Sequence, residues 1–336
     1  MRSELIRWEK MVTSEAPDGA ATVADVGEFG LIRRVTDGRV QPASTLLGPG
    51  DDAAVIAAPD GRVVATTDVL VEGVHFRLDW STPDQVGRKA VAVNMADIAA
   101  MGARPTAVLV GFGCPATTSA SVVDEIAQGM WAEATRAGAG VVGGDMVTSD
   151  MLVVSITALG DLEGRAPVTR DGALPGDVLA VCGKLGWSAA GLAVLGRGFR
   201  SPVSVVGAHR APEPPYAAGT LAARAGASAM LDVSDGLLAD VGHIAEASNV
   251  HVDIRTDLLE VPQRLLEVAT ALGADARHWV LTGGEDHALA ATFPESAALP
   301  EGWCKIGHVS RGTGVTVDGQ PYEKPAGWEH WRVHGQ

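Results

Sequence analysis

The chain has 336 residues, long enough for two domains of ordinary size. Hydrophobic residues make up 46% and charged residues 20%, which excludes a disordered chain, and no apolar run is long enough to cross a membrane. The net charge of −15 argues against nucleic acid, because a phosphate backbone needs basic stripes and none is visible; an acidic protein can still bind phosphates through divalent cations.

Residues 1–24 are polar and without clear period, and read as a flexible N-terminal extension, with Met11 as a second candidate start. No signal-peptide segment is present there. From Glu28 the pattern becomes regular. "GPGDDAAV" (48–55) places two aspartates after a turn and before an apolar stretch. "RVVATTDVLVEGVHF" (62–76) is β-rich, and 83–103 has helical spacing that ends at Gly102, before Pro105. A strand is expected at 106–115, a helix at 119–139 and a strand at 151–162. Residues 163–177 are dense in Gly, Pro and Arg and mark a boundary. Beyond it come a strand at 178–183, a small-residue helix near 187–196, a Pro-rich link at 210–219 and a helix at about 218–226. Then follow "AMLDVSDGLLADVGHIAEAS" (229–248), a strand near 250–255 and the turn "LTGGEDHAL" (281–289). Alternating strands and helices in both halves predict an α/β (α+β) architecture. The three cysteines, Cys114, Cys182 and Cys304, have no CxxC spacing, so neither a disulfide framework nor a zinc site is expected and a cytoplasmic location fits.

Common nucleotide motifs are absent: there is no G-x-x-x-x-G-K-[ST], and no kinase-type H-R-D loop. The formal G-x-G-x-x-G at Gly138–Gly143 follows a helix and precedes a strand, the reverse of the dinucleotide-binding order, and reads as a helix-ending linker. The acidic residues are more telling. Asp68 interrupts a β pattern, and Asp97 sits in a helix apolar almost all round, with Asn94 on its face. Asp145 follows "VVGG", and Asp232 and Asp235 bracket Ser234 where a strand turns into a helix. Each has an ordinary explanation: a cap for Ser234 or Asp235, a turn for Asp145, an edge-strand charge for Asp68. Together they place carboxylates in apolar surroundings with few cations nearby in sequence, and buried carboxylates are paired or bound to metal. Hard oxygen donors suit Mg²⁺, and the adjacent glycines let a phosphate approach the backbone. Metal ions would also explain Asp51 beside Asp52, with Asp52 the better-placed ligand.

The segments "GEFGLI", "GPGDDAAV", "TTDVLVEGVHF", "KAVAVNMADIAAMGARP", "GVVGGD", "LDVSDGLLADVGHI" and "LTGGEDHAL" occur in an order that resembles the thiamine-monophosphate kinase family, within the aminoimidazole-ribonucleotide-synthetase-like ATP-binding superfamily. The resemblance spans about Gly27 to Trp328. It implies that MgATP and thiamine phosphate give ADP and thiamine diphosphate, the last step of thiamine diphosphate biosynthesis. It implies two domains, 25–162 for ATP, Mg²⁺ and dimerisation and 163–336 to complete the site, in a homodimer using several Mg²⁺ ions. Carried over motif by motif, Asp52, Thr66, Thr67, Asp68, Asp97, Asp145, Asp232 and Asp235 resemble the metal ligands. Gly144, Arg170 and Ser234 resemble the ATP contacts, and His75, Glu285 and Trp328 the contacts to thiamine phosphate. Small residues around Ala137–Ala139 replace a family aromatic, and Trp328 and Trp331 compete for one role in "KPAGWEHW". Other ATP-using enzymes of the superfamily, and a non-catalytic nucleotide or divalent-cation sensor, are the alternatives.

The chemistry agrees with the composition. A phosphate monoester has a second pKa of roughly 6, so the attacking oxygen needs no general base at neutral pH. The obstacle is repulsion between polyanions, about 4 kcal/mol per pair of unit charges at 4 Å and an effective dielectric of 20. Metal ions remove that repulsion, and such a site needs many carboxylates and few lysines or arginines.

Overall fold

The computed structural model describes residues 21–50, 53–323 and 327. Two short helices open it, α1 (Val23–Val26) and α2 (Glu28–Thr36), followed by a two-stranded ribbon, β1 (Thr45–Leu47) and β2 (Val55–Ile56). The described end of the expected flexible extension, residues 21–24, is ordered. Thr22 forms a capping box with Asp25 and bridges to Ser119, so the chain is pinned before α1.

The first large sheet is built from β3 (Val64–Val71), β4 (Arg104–Cys114), β5 (Gly140–Thr148) and β6 (Val153–Asp161), in the order β3-β6-β4-β5. Between its strands lie α3 (Pro83–Ala100) and α4 (Ala120–Ala137). Thr82 and Gln85 cap α3 reciprocally and Pro83 opens it, which places its start two residues after Ser81. Gly87 on α3 faces the Ile126 carbonyl of α4 so closely that an added Cβ would lie 1.9 Å from it, and Gly129 on α4 does the same toward Asp84. These two glycines let the helices touch backbone to backbone. Gly138 ends α4 in the left-handed region (φ 76°), and β5 begins at Gly140. Asp145 therefore lies inside a strand, not at a turn.

The second half contributes β7 (Val178–Cys182), α5 (Trp187–Gly196), α6 (Val203–Arg210), α7 (Tyr216–Arg224), β8 (Ala229–Val233), α8 (Leu237–Ser248) and β9 (His251–Ile254). It continues with α9 (Gln263–Leu272), α10 (Ala276–Thr282), β10 (Ala288–Phe293), β11 (Cys304–Ser310) and β12 (Gly314–Val317). Its sheet runs β12-β9-β11-β7-β10-β8. Helix α7 starts at Tyr216, two residues before the start expected at about 218 and within the Pro-rich link.

Strands β7, β8 and β10 are buried at every position. Alternation explains this. Val178, Ala180, Met230, Leu289 and Ala291 join the core shared with α3 and α4. Leu179, Val181, Leu231, Ala288 and Ala290 join a second core under α5, α8, α9 and α10. A sheet covered on both faces reads as continuous apolar runs. Helix α3 is thereby enclosed, with α4 on one side, the first sheet on another, and α7, β8 and β10 on a third. No helix among the described residues is long and apolar enough to cross a membrane.

Candidate active site

The site forms where α3 passes beneath the ends of β3, β8 and β10. Alternation along β3 separates its two threonines. Thr66 Oγ1 donates to Asp97 Oδ2 on α3 at 2.7 Å, whereas Thr67 Oγ1 donates to the Ile156 carbonyl at 2.9 Å. The structure thus brings Thr66 to the predicted ligands and does not bring the Thr67 hydroxyl there. Asn94, one turn before Asp97, holds its amide toward Ala90 O at 2.9 Å and accepts from Asp68 N at 2.9 Å. It ties the helix to the strand at the point where both carboxylates emerge.

Asp232, next to last in β8, is buried and accepts from His287 Nδ1 at 2.9 Å. Three carboxylates from distant parts of the chain now face one another. Burial pushes the Asp97 carboxyl up to about 7, and the charges of Asp232 and Asp68 add to this against the Thr66 hydrogen bond. Burial also raises Asp68, with His287 opposing and Asp232 reinforcing the rise.

The turn after β8 carries Ser234, Asp235 and Gly236. Helix α8 has no cap from its own N-cap residue, Gly236. Asp240 serves instead, accepting from Asp235 N at 3.0 Å and Gly236 N at 2.9 Å. Burial and the charge of Asp232 push Asp240 up to about 7 against those two amides. The capping role open to Ser234 or Asp235 is thus filled from inside the helix, by a carboxyl that also feels the charge of Asp235. The turn 283–287 lies alongside: Glu285 N donates to Ser234 O at 2.7 Å and His287 N to Val233 O at 3.0 Å. Glu285 and His287 both hold positive φ, 63° and 53°, an uncommon conformation for residues with a Cβ. Gly284 between the two turns permits the approach, since a Cβ there would lie 2.5 Å from Ser234 O.

The other end of the site holds Glu285 and His75. Lys89 of α3 is buried and donates to Glu285 Oε2 and to the His75 carbonyl, each at 3.0 Å. His75 Nδ1 accepts from Val71 N at 3.0 Å, so Nε2 carries the ring proton. His209, at the end of α6, lies 3.5 Å from Glu285 Oε2 and 3.0 Å from Ser188 Oγ. Burial and the neighbouring Lys89 charge push His209 down to about 4, so it is neutral. Burial pushes Glu285 up, but the charge of Lys89 and its hydrogen bond to the carboxylate more than offset this and hold it below the ordinary carboxylate range. Asp286 caps α5 from outside, accepting from Gly186 N and Ser188 N; burial pushes it up to about 7 despite those donors. Trp80 meets the His209 ring edge-on at 6.5 Å, and Arg77 stacks over Trp80.

Asp145 and Gly144 stand apart. They lie on β5, the opposite edge of the sheet from β3, so three strand spacings of about 4.8 Å, ~14 Å in all, separate them from Asp68. Arg170 is exposed in the segment between the sheets, its carbonyl accepting from Ser248 Oγ at 2.8 Å. Asp52 and Trp328, with Asp51 and Trp331, lie outside the described residues. The sequence reading missed Lys89, His209, Asp240, Asp286 and His287. Lys89 carried the same signal as Asp97, a charge in an apolar helix, and His287 lies within the motif that supplied Glu285.

Among the described residues no three His, Cys, Asp or Glu side chains close around one point as a metal cage. The donor set still fits Mg²⁺, which takes one or two carboxylates and completes its shell with water and substrate phosphates. Mutual repulsion among Asp68, Asp97 and Asp232 is what such cations would relieve.

Residues 50–162 match the family model described as AIR synthase related protein, N-terminal domain, and 175–319 match the corresponding C-terminal domain. The chain is 55% identical over 310 residues to the thiamine-monophosphate kinase of Mycobacterium tuberculosis, covering 92% of each. It is 44% identical over 322 residues to that of Corynebacterium glutamicum, covering 93% of this chain and 94% of the relative. A solved structure of AaThiL complexed with AMPPCP and TMP matches with a TM-score of 0.76 at 32% identity, covering 96% of this chain and 100% of that one. On this identity and coverage, the chain belongs to the thiamine-monophosphate kinase family.

Proposed function

We propose that this protein transfers the γ-phosphoryl group of ATP to thiamine phosphate, giving ADP and thiamine diphosphate. The observation that carries the reading is the mutual electrostatic influence of the buried carboxylates Asp68, Asp97 and Asp232, in a family whose member AaThiL was solved with AMPPCP and TMP. Asp52, Thr66, Asp68, Asp97, Asp145, Asp232 and Asp235 are the residues that would hold Mg²⁺, and Thr67, whose hydroxyl is bonded to the Ile156 carbonyl, would contribute only through its backbone. When bound there, Mg²⁺ would supply the positive charge that offsets repulsion between the two phosphate groups. Gly144, in one row across β3, β6, β4 and β5 with Asp68, contacts ATP together with Ser234 and Arg170.

At the other end, His75 presents its Nε2 proton to the substrate phosphate. Glu285, kept ionised by Lys89, accepts from the amino group of the pyrimidine, and Trp328 faces the cationic ring. Residues 25–162 form the ATP, Mg²⁺ and dimerisation domain, and 163–336 complete the site. Val69, Leu109 and Val147, exposed on the first sheet, form part of the homodimer surface.

The test is a product assay with MgATP and thiamine phosphate, with and without EDTA, separating the thiamine phosphates by chromatography. Metal-dependent thiamine diphosphate with equimolar ADP is expected. Folded, ATP-binding protein that makes no thiamine diphosphate would redirect the reading to another acceptor or to a sensor.

A further inference from the structure

We propose that Lys89 is a positioning residue that sets selectivity for the aminopyrimidine end of thiamine phosphate, by fixing the Glu285 carboxylate and the His75 main chain in one arrangement. The inference rests on the substrate reading above and extends it to a residue on the buried helix.

The Lys89 side chain is 4% exposed, and lysine is rarely so buried unless paired. Its ammonium reaches two loops from opposite halves of the chain: His75 lies between β3 and α3, Glu285 between α10 and β10. Both distances are 3.0 Å, so one cation on a rigid helix sets the spacing between the two substrate contacts. The contacts to Glu285 from Lys89 and His209 both fall on Oε2. Among the described residues no hydrogen bond is made to Oε1. Oε1 is thus the oxygen left to accept from an amino-bearing ring, and its direction follows from the Lys89 bond and from the left-handed backbone of Glu285. If packing alone were required, an apolar side chain of similar volume would serve at least as well as a buried ion pair.

The experiment compares wild type with Lys89→Met, which keeps the volume and removes the charge. Each is assayed with thiamine phosphate varied, with ATP varied, and with oxythiamine phosphate, in which oxygen replaces the ring amino group. Lys89→Met is expected to raise KM for thiamine phosphate about 10- to 100-fold, the value of a hydrogen bond to a charged group. KM for ATP stays within about twofold, and the preference for thiamine phosphate over oxythiamine phosphate narrows by a similar factor. An unchanged KM for thiamine phosphate, or an equal rise in both KM values, overturns the proposal. If Lys89→Met does not fold, Lys89→Arg decides: it keeps the charge and displaces the donors, so the same selective rise is expected and its absence overturns the proposal. Wild type that makes no thiamine diphosphate overturns the underlying reading and this proposal with it, whereas an active wild type with an unaltered variant overturns this proposal alone.

Discussion

His287 donates from Nδ1 to Asp232 Oδ2 at 2.9 Å, and both side chains are buried at the centre of the carboxylate cluster. Burial alone would lower the imidazole, but the bond to Asp232 and the charges of Asp232, Glu285 and Asp97 outweigh it and raise His287 above its ordinary value. The histidine is a built-in counter-charge. Replacing it by Ala leaves a buried carboxylate without its partner, for which a loss of about 3–5 kcal/mol is expected. Denaturant unfolding in EDTA measures this, and Mg²⁺ should recover part of the loss. A wild-type midpoint in His287→Ala would refute the counter-charge role.

Asp68→Asn and Asp97→Asn keep shape and remove a ligand charge. Each should lower turnover at least about 100-fold while circular dichroism stays native, because the charge on the phosphates goes unneutralised. In EDTA, Asp97→Asn should be more stable than wild type by roughly 1–2 kcal/mol, since it removes a buried charge facing Asp232 and Asp68. Near-normal activity in both variants would end the metal-ligand assignment.

His209 gives a pH signature. Its folded value is pushed down to about 4 by burial and by Lys89, with Glu285 opposing and Arg210 adding to the depression, while an unfolded histidine titrates near 6.5. The folded state therefore binds fewer protons between these values. The stability is fully present above about pH 6.5 and is lost as pH falls toward 4, by up to about 3 kcal/mol. Asp97, Asp240 and Asp286 take up protons in the folded state over an overlapping range and work in the opposite direction. The measurement is thus the difference between wild type and His209→Gln across pH 4–7. The variant should lose less stability on acidification, and parallel curves would show that His209 is not held neutral by the fold.

Gly87→Ala tests how the site depends on helix packing. Its Cβ would lie 1.9 Å from the Ile126 carbonyl, so α3 must move away from α4. A destabilisation of about 1–3 kcal/mol is expected, with a fall in kcat because Lys89, Asn94 and Asp97 ride on the same helix. A thermal melt and a rate at saturating substrates check both. A variant with wild-type values would show that the contact can relax without moving the site.

Local chemistry in the sequence was enough for several features. Thr82-Pro83 opens α3, and Gly138 closes α4, because caps and φ preferences act over a few residues. Asp97 was legible as a buried carboxylate because it breaks an apolar helix. The ordinary alternative for Asp145, a turn, stood open because "GG" is ambiguous between a turn and an edge strand closely paired with its neighbour, and the pairing of β5 with β4 closes it. The separation of Thr66 from Thr67 depended on which face of β3 meets α3, and only the pairing with β6 settles that register. Lys89 stands in the same apolar helix as Asp97, but a lysine can reach water along its own stem, so its burial and its partners follow only once α3 is roofed by β8 and β10. Residues more than a hundred positions apart, Asp68 with Asp232 and Lys89 with Glu285, acquire their charges and partners only in the folded chain. The residue types and their local conformations were determined by the sequence alone; the pairing, burial and perturbed protonation of the site were decided by tertiary structure, because electrostatic energy depends on distance and surroundings and not on order along the chain.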